Sequence, residues 1–211
     1  MLNLFLAYSD TDADLGKYFS DCADDLKFFL WKNFPSAKIH EINKEKLCYP
    51  LFDQVVLETV PAIVTAFSHG IAHELSHNGK AYLKQQNASS FINTLFYTNA
   101  CWAGLKLGHI LIDTGCLSFI GYNNEVFVIR GHYDTFRDCD NYGIKCFLQG
   151  DSTGTAFEKM KAFYTEKIDE LYADDLVASA RLRRNRDSLV IIGSKDLDIT
   201  AFVIDSLSTA C

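Results

Sequence analysis

The chain has 211 residues, 48% of them hydrophobic and 22% charged, and a formal net charge of −7 at neutral pH. That length allows one domain with a substantial core and is too short for two large ones. The acidic balance argues against nucleic acid or an anionic membrane as the main partner. The seven cysteines are an odd number without CxxC spacing, which argues against a zinc ribbon and a fully paired disulfide framework.

In chain order, residues 2–8 form a short apolar run closed by Ser9-Asp10-Thr11-Asp12, the pattern of a buried strand entering a capped helix. With no basic stretch before it, the run is expected to be a strand rather than a signal peptide. Leu15, Tyr18, Phe19, Cys22, Leu26, Phe29 and Leu30 recur at helical spacing, which predicts a helix to about Asn33 that Pro35 stops. Residues 37–42 alternate as a strand does, and 51–60 have a helical pattern. Pro61 leads into a strand ending at His69. A polar stretch over 79–90 precedes a second strand, ending at Cys101. The pattern predicts a helix over 102–114 with Gly115 as its C-cap. A strand follows over 116–122, continued or returned by 126–129. Residues 130–154 read as a long loop region. Helices over 155–172 and 174–184 and strands over 188–193 and 200–204 complete the chain. Alternating strands and helices, with no repeat or linker, predict a single α/β domain over 1–211 with a largely parallel sheet. No segment approaches the length of a membrane span, and a reduced, cytoplasmic compartment is the expectation.

The chemistry gathers at two strand ends. One apolar run stops at Phe67-Ser68-His69-Gly70 and the other at Asn99-Ala100-Cys101-Trp102-Ala103-Gly104. Neighbouring parallel strands deliver their C-terminal ends to one rim, where α/β folds keep their sites. An imidazole beside a thiol can generate the thiolate, the nucleophilic form. Gly70 lets backbone approach a substrate, and the N–H groups of Gly70 and Cys101 are candidate oxyanion donors. A helix starting at Trp102 would aim its positive end at the thiol and lower its pKa. Taken singly, such a cysteine or histidine is more often a buried structural group. It is their order along the chain that carries the reading.

These motifs resemble those of the caspase-like (clan CD) cysteine peptidases, and among them most closely the bacterial CHAT-type proteases. His69-Gly70 is similar to the group's histidine motif, and Ala100-Cys101-Trp102-Ala103-Gly104 to its Ala-Cys-x-Ser-Gly nucleophile motif, with Ala103 in place of Ser. The helix and Ile120-Gly121 strand that follow also resemble that layout, so the likeness spans roughly residues 1–172. It implies a caspase-like three-layer sandwich with a mainly parallel central sheet flanked by helices. It further implies a Cys101-His69 dyad that cleaves peptide bonds through an acyl-enzyme without metal or other cofactor. Its partners would be a protein or peptide substrate and an activating protein or a second copy, in bacterial defence or regulated proteolysis. Asn99 stands where metacaspases carry an Asp that binds a basic P1 side chain. Asp10 and Asp12 lie where relatives build part of that pocket, and capping of the following helix is their alternative role.

Other signals compete. His73-Glu74-Leu75-Ser76-His77 is a literal HExxH which, on a helix, would put two imidazoles on one face for zinc. Residues 4–12 resemble the opening of TIR domains, which cleave NAD or act as assembly modules. A caspase-like scaffold without catalysis is a third alternative. Arg181, Arg183, Arg184 and Arg186 read as a solvated helix end, with an autoprocessing site or a docking patch as alternatives.

Overall fold

Apolar runs buried on both faces make the inner strands of a parallel sheet, and four of the runs read above do so. The computed structural model describes residues 1–48 and 61–203. Its elements begin with β1 (Asn3–Tyr8), α1 (Gly16–Asn33), β2 (Lys38–Ile42) and β3 (Ala62–Phe67). Three short strands follow, β4 (His69–Ile71), β5 (Glu74–His77) and β6 (Lys80–Lys84). Next come β7 (Thr94–Thr98), α2 (Leu107–Asp113) and β8 (Ser118–Tyr122). The remainder is α3 (Tyr133–Leu148), α4 (Thr153–Tyr172), α5 (Leu176–Ser188) and β9 (Leu189–Gly193).

The main sheet has the order β2-β1-β3-β7-β8-β9. Its first five strands run parallel and β9 pairs antiparallel to β8. Period-two alternation assigns each strand's side chains to two cores. Leu4, Leu6, Tyr8, Leu95, Tyr97, Ile120 and Tyr122 pack with α1, α3, α4 and α5. Phe5, Ala7, Val64, Ala66, Phe96 and Phe119 pack on the other face with α2 and the antiparallel β4-β5-β6 ribbon. The result is a three-layer α/β sandwich.

Several expectations need correction. Residues 130–154 contain a 16-residue helix, α3, rather than a loop. The polar stretch over 79–90 holds β6 and a 3-10 turn, Gln85–Phe91. Residues 126–129 form no strand, because β9 takes the free edge of β8. Thr200 lies in a 3-10 turn, Ile199–Phe202, although Val203 bridges to Leu2. The helix expected over 51–60, Ile204 and Cys211 lie outside the described residues.

Candidate active site

The register of β3 against β7 pairs Ala66 with Thr98, so His69 and Cys101 leave the sheet from adjacent strands at the same end. The Thr98 hydroxyl donates to the Ala66 carbonyl at 2.7 Å and accepts the Ala100 N–H at 3.1 Å, fastening the two ends together. A Cβ on Gly70 would lie 2.9 Å from the Ala100 Cβ and 3.1 Å from the Cys101 carbonyl oxygen. A glycine is therefore required for this approach. The His69 ring stands edge-on to Phe19, centroids 5.4 Å apart, and its Nε2 lies 3.1 Å from Asp12 Oδ2. Asp12 also caps the chain ahead of α1, its Oδ1 accepting the N–H groups of Asp14 and Leu15. Burial pushes the Asp12 carboxyl up, but the Leu15 and Asp14 N–H bonds and the His69 contact outweigh it and hold it below its ordinary value.

The Cys101 sulfur accepts the Val126 N–H at 3.2 Å and reaches the Val126 carbonyl at 3.8 Å. Burial pushes its thiol pKa up, and the Val126 bond offsets only part of that. The Cys101 N–H makes no backbone hydrogen bond outside regular elements among the described residues. The helix expected to begin at Trp102 starts five residues later, at Leu107, so no helix N-terminus is aimed at the thiol. The reason is tertiary. The Trp102 and Gly104 N–H groups are drawn to the carbonyls of Asn124 and Tyr122, at 2.9 and 2.7 Å. Trp102 takes φ 55°, a left-handed conformation costly for a residue with a side chain.

His69 and Cys101 open onto one cavity of about 20 Å³, lined also by Leu15, Tyr18, Phe19, Ser68, Asn99, Val126 and Val128. Of the three residues expected to bind substrate, only Asn99 reaches it. Asp10 and Asp12 are not among its walls. Asp10 Oδ2 faces Asn43 at 3.5 Å, and its Oδ1 is buried without a hydrogen-bond partner. Asn99, 4% exposed, donates through Nδ2 to Asp140 Oδ2 at 3.1 Å, while its Oδ1 is buried and unpartnered.

Asp140 carries no site signal in the sequence, because it lies within the stretch expected to be a loop. It is buried on α3 and accepts hydroxyls from Tyr18, Tyr122 and Tyr164 at 2.7–2.8 Å besides Asn99. Burial pushes its pKa up against these hydrogen bonds. A buried carboxylate needs such a cage to be tolerated. Here the cage fastens Asn99 two residues before Cys101.

The HExxH segment is not helical. His73 is exposed in the turn before β5, and His77 is buried at its end. His77 Nδ1 lies 2.8 Å from Ser9 Oγ, so it links the ribbon to the end of β1. A zinc face built on helical i, i+4 spacing does not exist there. Among the described residues, no three His, Cys, Asp or Glu side chains are placed to hold a metal ion.

A mainly parallel sheet flanked by helices, with histidine and cysteine at adjacent strand ends, has the architecture of the caspase-like α/β fold. Comparison with solved structures agrees. The chain superposes on the Arg-specific cysteine proteinase gingipain R with a TM-score of 0.62 and 11% sequence identity. The match covers 93% of this chain and 46% of gingipain R, so the chain spans about half that protein's length. No family model matches the sequence, and a search of curated proteins finds no match. Among the described residues, no helix is long and apolar enough to cross a membrane.

Proposed function

We propose that this chain is a cysteine endopeptidase in which Cys101 is the nucleophile and His69 its acid-base partner. The observation that carries the reading is their meeting, from adjacent strand ends 32 residues apart in sequence, on a single cavity. Its likeness in fold to a cysteine proteinase is the second support.

In this reading Asp12 accepts the His69 Nε2–H, which leaves Nδ1 free to take the thiol proton. The Cys101 thiolate attacks the substrate carbonyl carbon, and the oxyanion is held by the N–H groups of Gly70 and Cys101. His69 returns the proton to the leaving amine as the C–N bond breaks. Water, deprotonated by His69, then hydrolyses the thioester and frees the carboxylic acid. Asn99 Oδ1 is an acceptor awaiting a donor, which suits it to the P1 side chain. Asp10 and Asp12 are left out of that pocket, since their contacts are with Asn43 and His69. The Ala100-Cys101 and His69-Gly70 motifs support a CHAT-type assignment. With it come cytoplasmic action and activation by a protein partner, in defence or regulated proteolysis.

The test compares wild type with Cys101→Ala and His69→Ala on a mixed peptide library, with and without chelator. Cleavage should vanish in both variants and ignore the chelator. Cleavage that survives Cys101→Ala would sink the dyad.

A further inference from the structure

The cavity between His69 and Cys101 is far too small for a substrate side chain: about 20 Å³, against ligand sites of roughly 300–1,000 Å³. One wall must therefore move. Tyr18 and Phe19 stand on α1, and Ser68, His69, Asn99 and Cys101 on the ends of β3 and β7 or the start of β4. Val126 and Val128 belong to a segment, residues 123–129, that has no regular structure. This segment also lies against the Cys101 sulfur, because the Val126 N–H donates to one of its lone pairs at 3.2 Å.

Helix α5 holds the segment along its length. The Asn123 N–H donates to the Ser188 carbonyl at 2.8 Å. Asn185, fully buried, grips the Phe127 peptide from both sides, accepting its N–H at 2.9 Å and donating to its carbonyl at 2.8 Å. The Phe127 ring lies between the guanidinium groups of Arg181 and Arg184, 4.1 and 4.7 Å from its centroid. Beyond it, His132 Nε2 meets Asp175 Oδ2 at 3.0 Å. Neither Arg181 nor Arg184 forms an ion pair among the described residues, so the aromatic ring is their recorded partner.

We propose that residues 123–129 are an autoinhibitory strap, closed over Cys101 and latched to α5 through Phe127. Cleavage requires its release, which frees the Cys101 sulfur from Val126 and opens the P1 space above Asn99. The Arg181–Phe127–Arg184 stack is the part of the latch nearest solvent. This inference rests on the peptidase reading only for what the strap restrains. Whether it covers the thiol can be measured without any substrate.

The experiment is peptide-resolved alkylation of Cys101 by iodoacetamide in the full chain, alongside cleavage of the peptide library. Phe127→Ala removes the latch from within, and an Arg181→Ala/Arg184→Ala double variant removes it from the surface. The buried Cys22, Cys116 and Cys139, unlabelled in a folded protein, report on unfolding. Losing two cation–π contacts should raise Cys101 alkylation about 5- to 30-fold, with those three thiols still protected and cleavage faster. Faster alkylation without cleavage in any variant would uphold the strap and discard the peptidase reading. An unchanged or slower rate in both folded variants overturns the strap and makes the Val126 N–H a stabiliser of the thiolate.

Discussion

Replacing Asp140 tests whether the buried cage beneath Cys101 is a main support of the fold. In Asp140→Ala the hydroxyls of Tyr122 and Tyr164, 2.8 Å apart, can keep one hydrogen bond between them, and the second of their two protons loses its acceptor. The Tyr18 hydroxyl and Asn99 Nδ2 lose the acceptor that both now share, Oδ2. A buried donor left unmet costs about 1–3 kcal/mol, so the three cost about 3–9 kcal/mol. In a domain of this size about 6 kcal/mol lowers Tm by roughly 12–24 °C. Asp140→Asn should behave differently. Its oxygen can face Tyr18 and Asn99, while its NH2 donates to the hydroxyls of Tyr122 and Tyr164, which are able to accept. It also removes a carboxyl whose charged form burial disfavours. We expect its loss to stay within about 2 kcal/mol. Thermal and guanidinium unfolding at neutral pH, followed by circular dichroism, measures both variants. An alanine variant within about 1 kcal/mol of wild type would show that the unmet donors find other partners, contrary to the argument. Equal losses for alanine and asparagine would refute it differently, since the charge rather than acceptor geometry would then govern.

Two further predictions concern the rim. Asp12→Asn keeps an oxygen for the Asp14 and Leu15 N–H groups but turns an NH2 toward His69 Nε2. That fixes the proton on Nδ1 and removes the base, so kcat should fall about 10- to 100-fold with KM unchanged. A rise in KM alone would instead return Asp12 to substrate binding. Gly104→Ala would drive a Cβ into Val190 Cγ2 and to 3.1 Å from the Tyr122 carbonyl oxygen, a clash of about 1–3 kcal/mol. In a Val190→Ala background the same change should cost less than half as much, as a double-mutant cycle on unfolding midpoints would reveal. Equal cost in both backgrounds would remove Val190 from the explanation.

The inner strands and the rim were legible because their signals are local. Residues 62–67 and 94–98 are mainly apolar and buried throughout, as strands covered on both faces are, and His69 and Cys101 follow within three residues. The β4-β5-β6 ribbon was obscured by a motif with two interpretations. His73 to His77 fits a helical zinc site by letter, yet the ribbon's buried apolar side chains are Leu75, Tyr82 and Leu83, and Asn78-Gly79 is a hairpin turn signal with both residues at positive φ. Helix α3 was hidden by its own function in the core. Phe136, Cys139, Ile144 and Phe147 recur at helical spacing, but Asp140 and Asn141 are polar residues on the same buried side, and their partners are Tyr18, Tyr122 and Tyr164 for one and the Cys22 carbonyl and Asp25 for the other. No window of sequence contains partners that distant. The late start of the helix after Cys101 has the same origin, since Trp102 and Gly104 bond to residues about twenty positions away.

Cys101 is thus held from two sides by contacts of different kind, and the difference bears on how such a site is switched. Below it, Asn99 is tied to Asp140, fully enclosed by four donors. Breaking that tie strands buried polar groups, so this side is expensive to disturb and suits a fixed frame. Above it, the strap's outer hold is a ring beside two arginines that form no ion pair among the described residues, contacts worth about 0.5–1 kcal/mol each where exposed. Arg184 is exposed and Arg181 half-buried, so a binding partner can reach this hold without entering the core. Perturbing the frame should therefore change stability first and thiol reactivity second, whereas perturbing the latch should change reactivity with little change in Tm. A protein in which Asp140→Ala and Phe127→Ala altered the two properties in the same proportion would have no separate latch, and opening its site would amount to unfolding it.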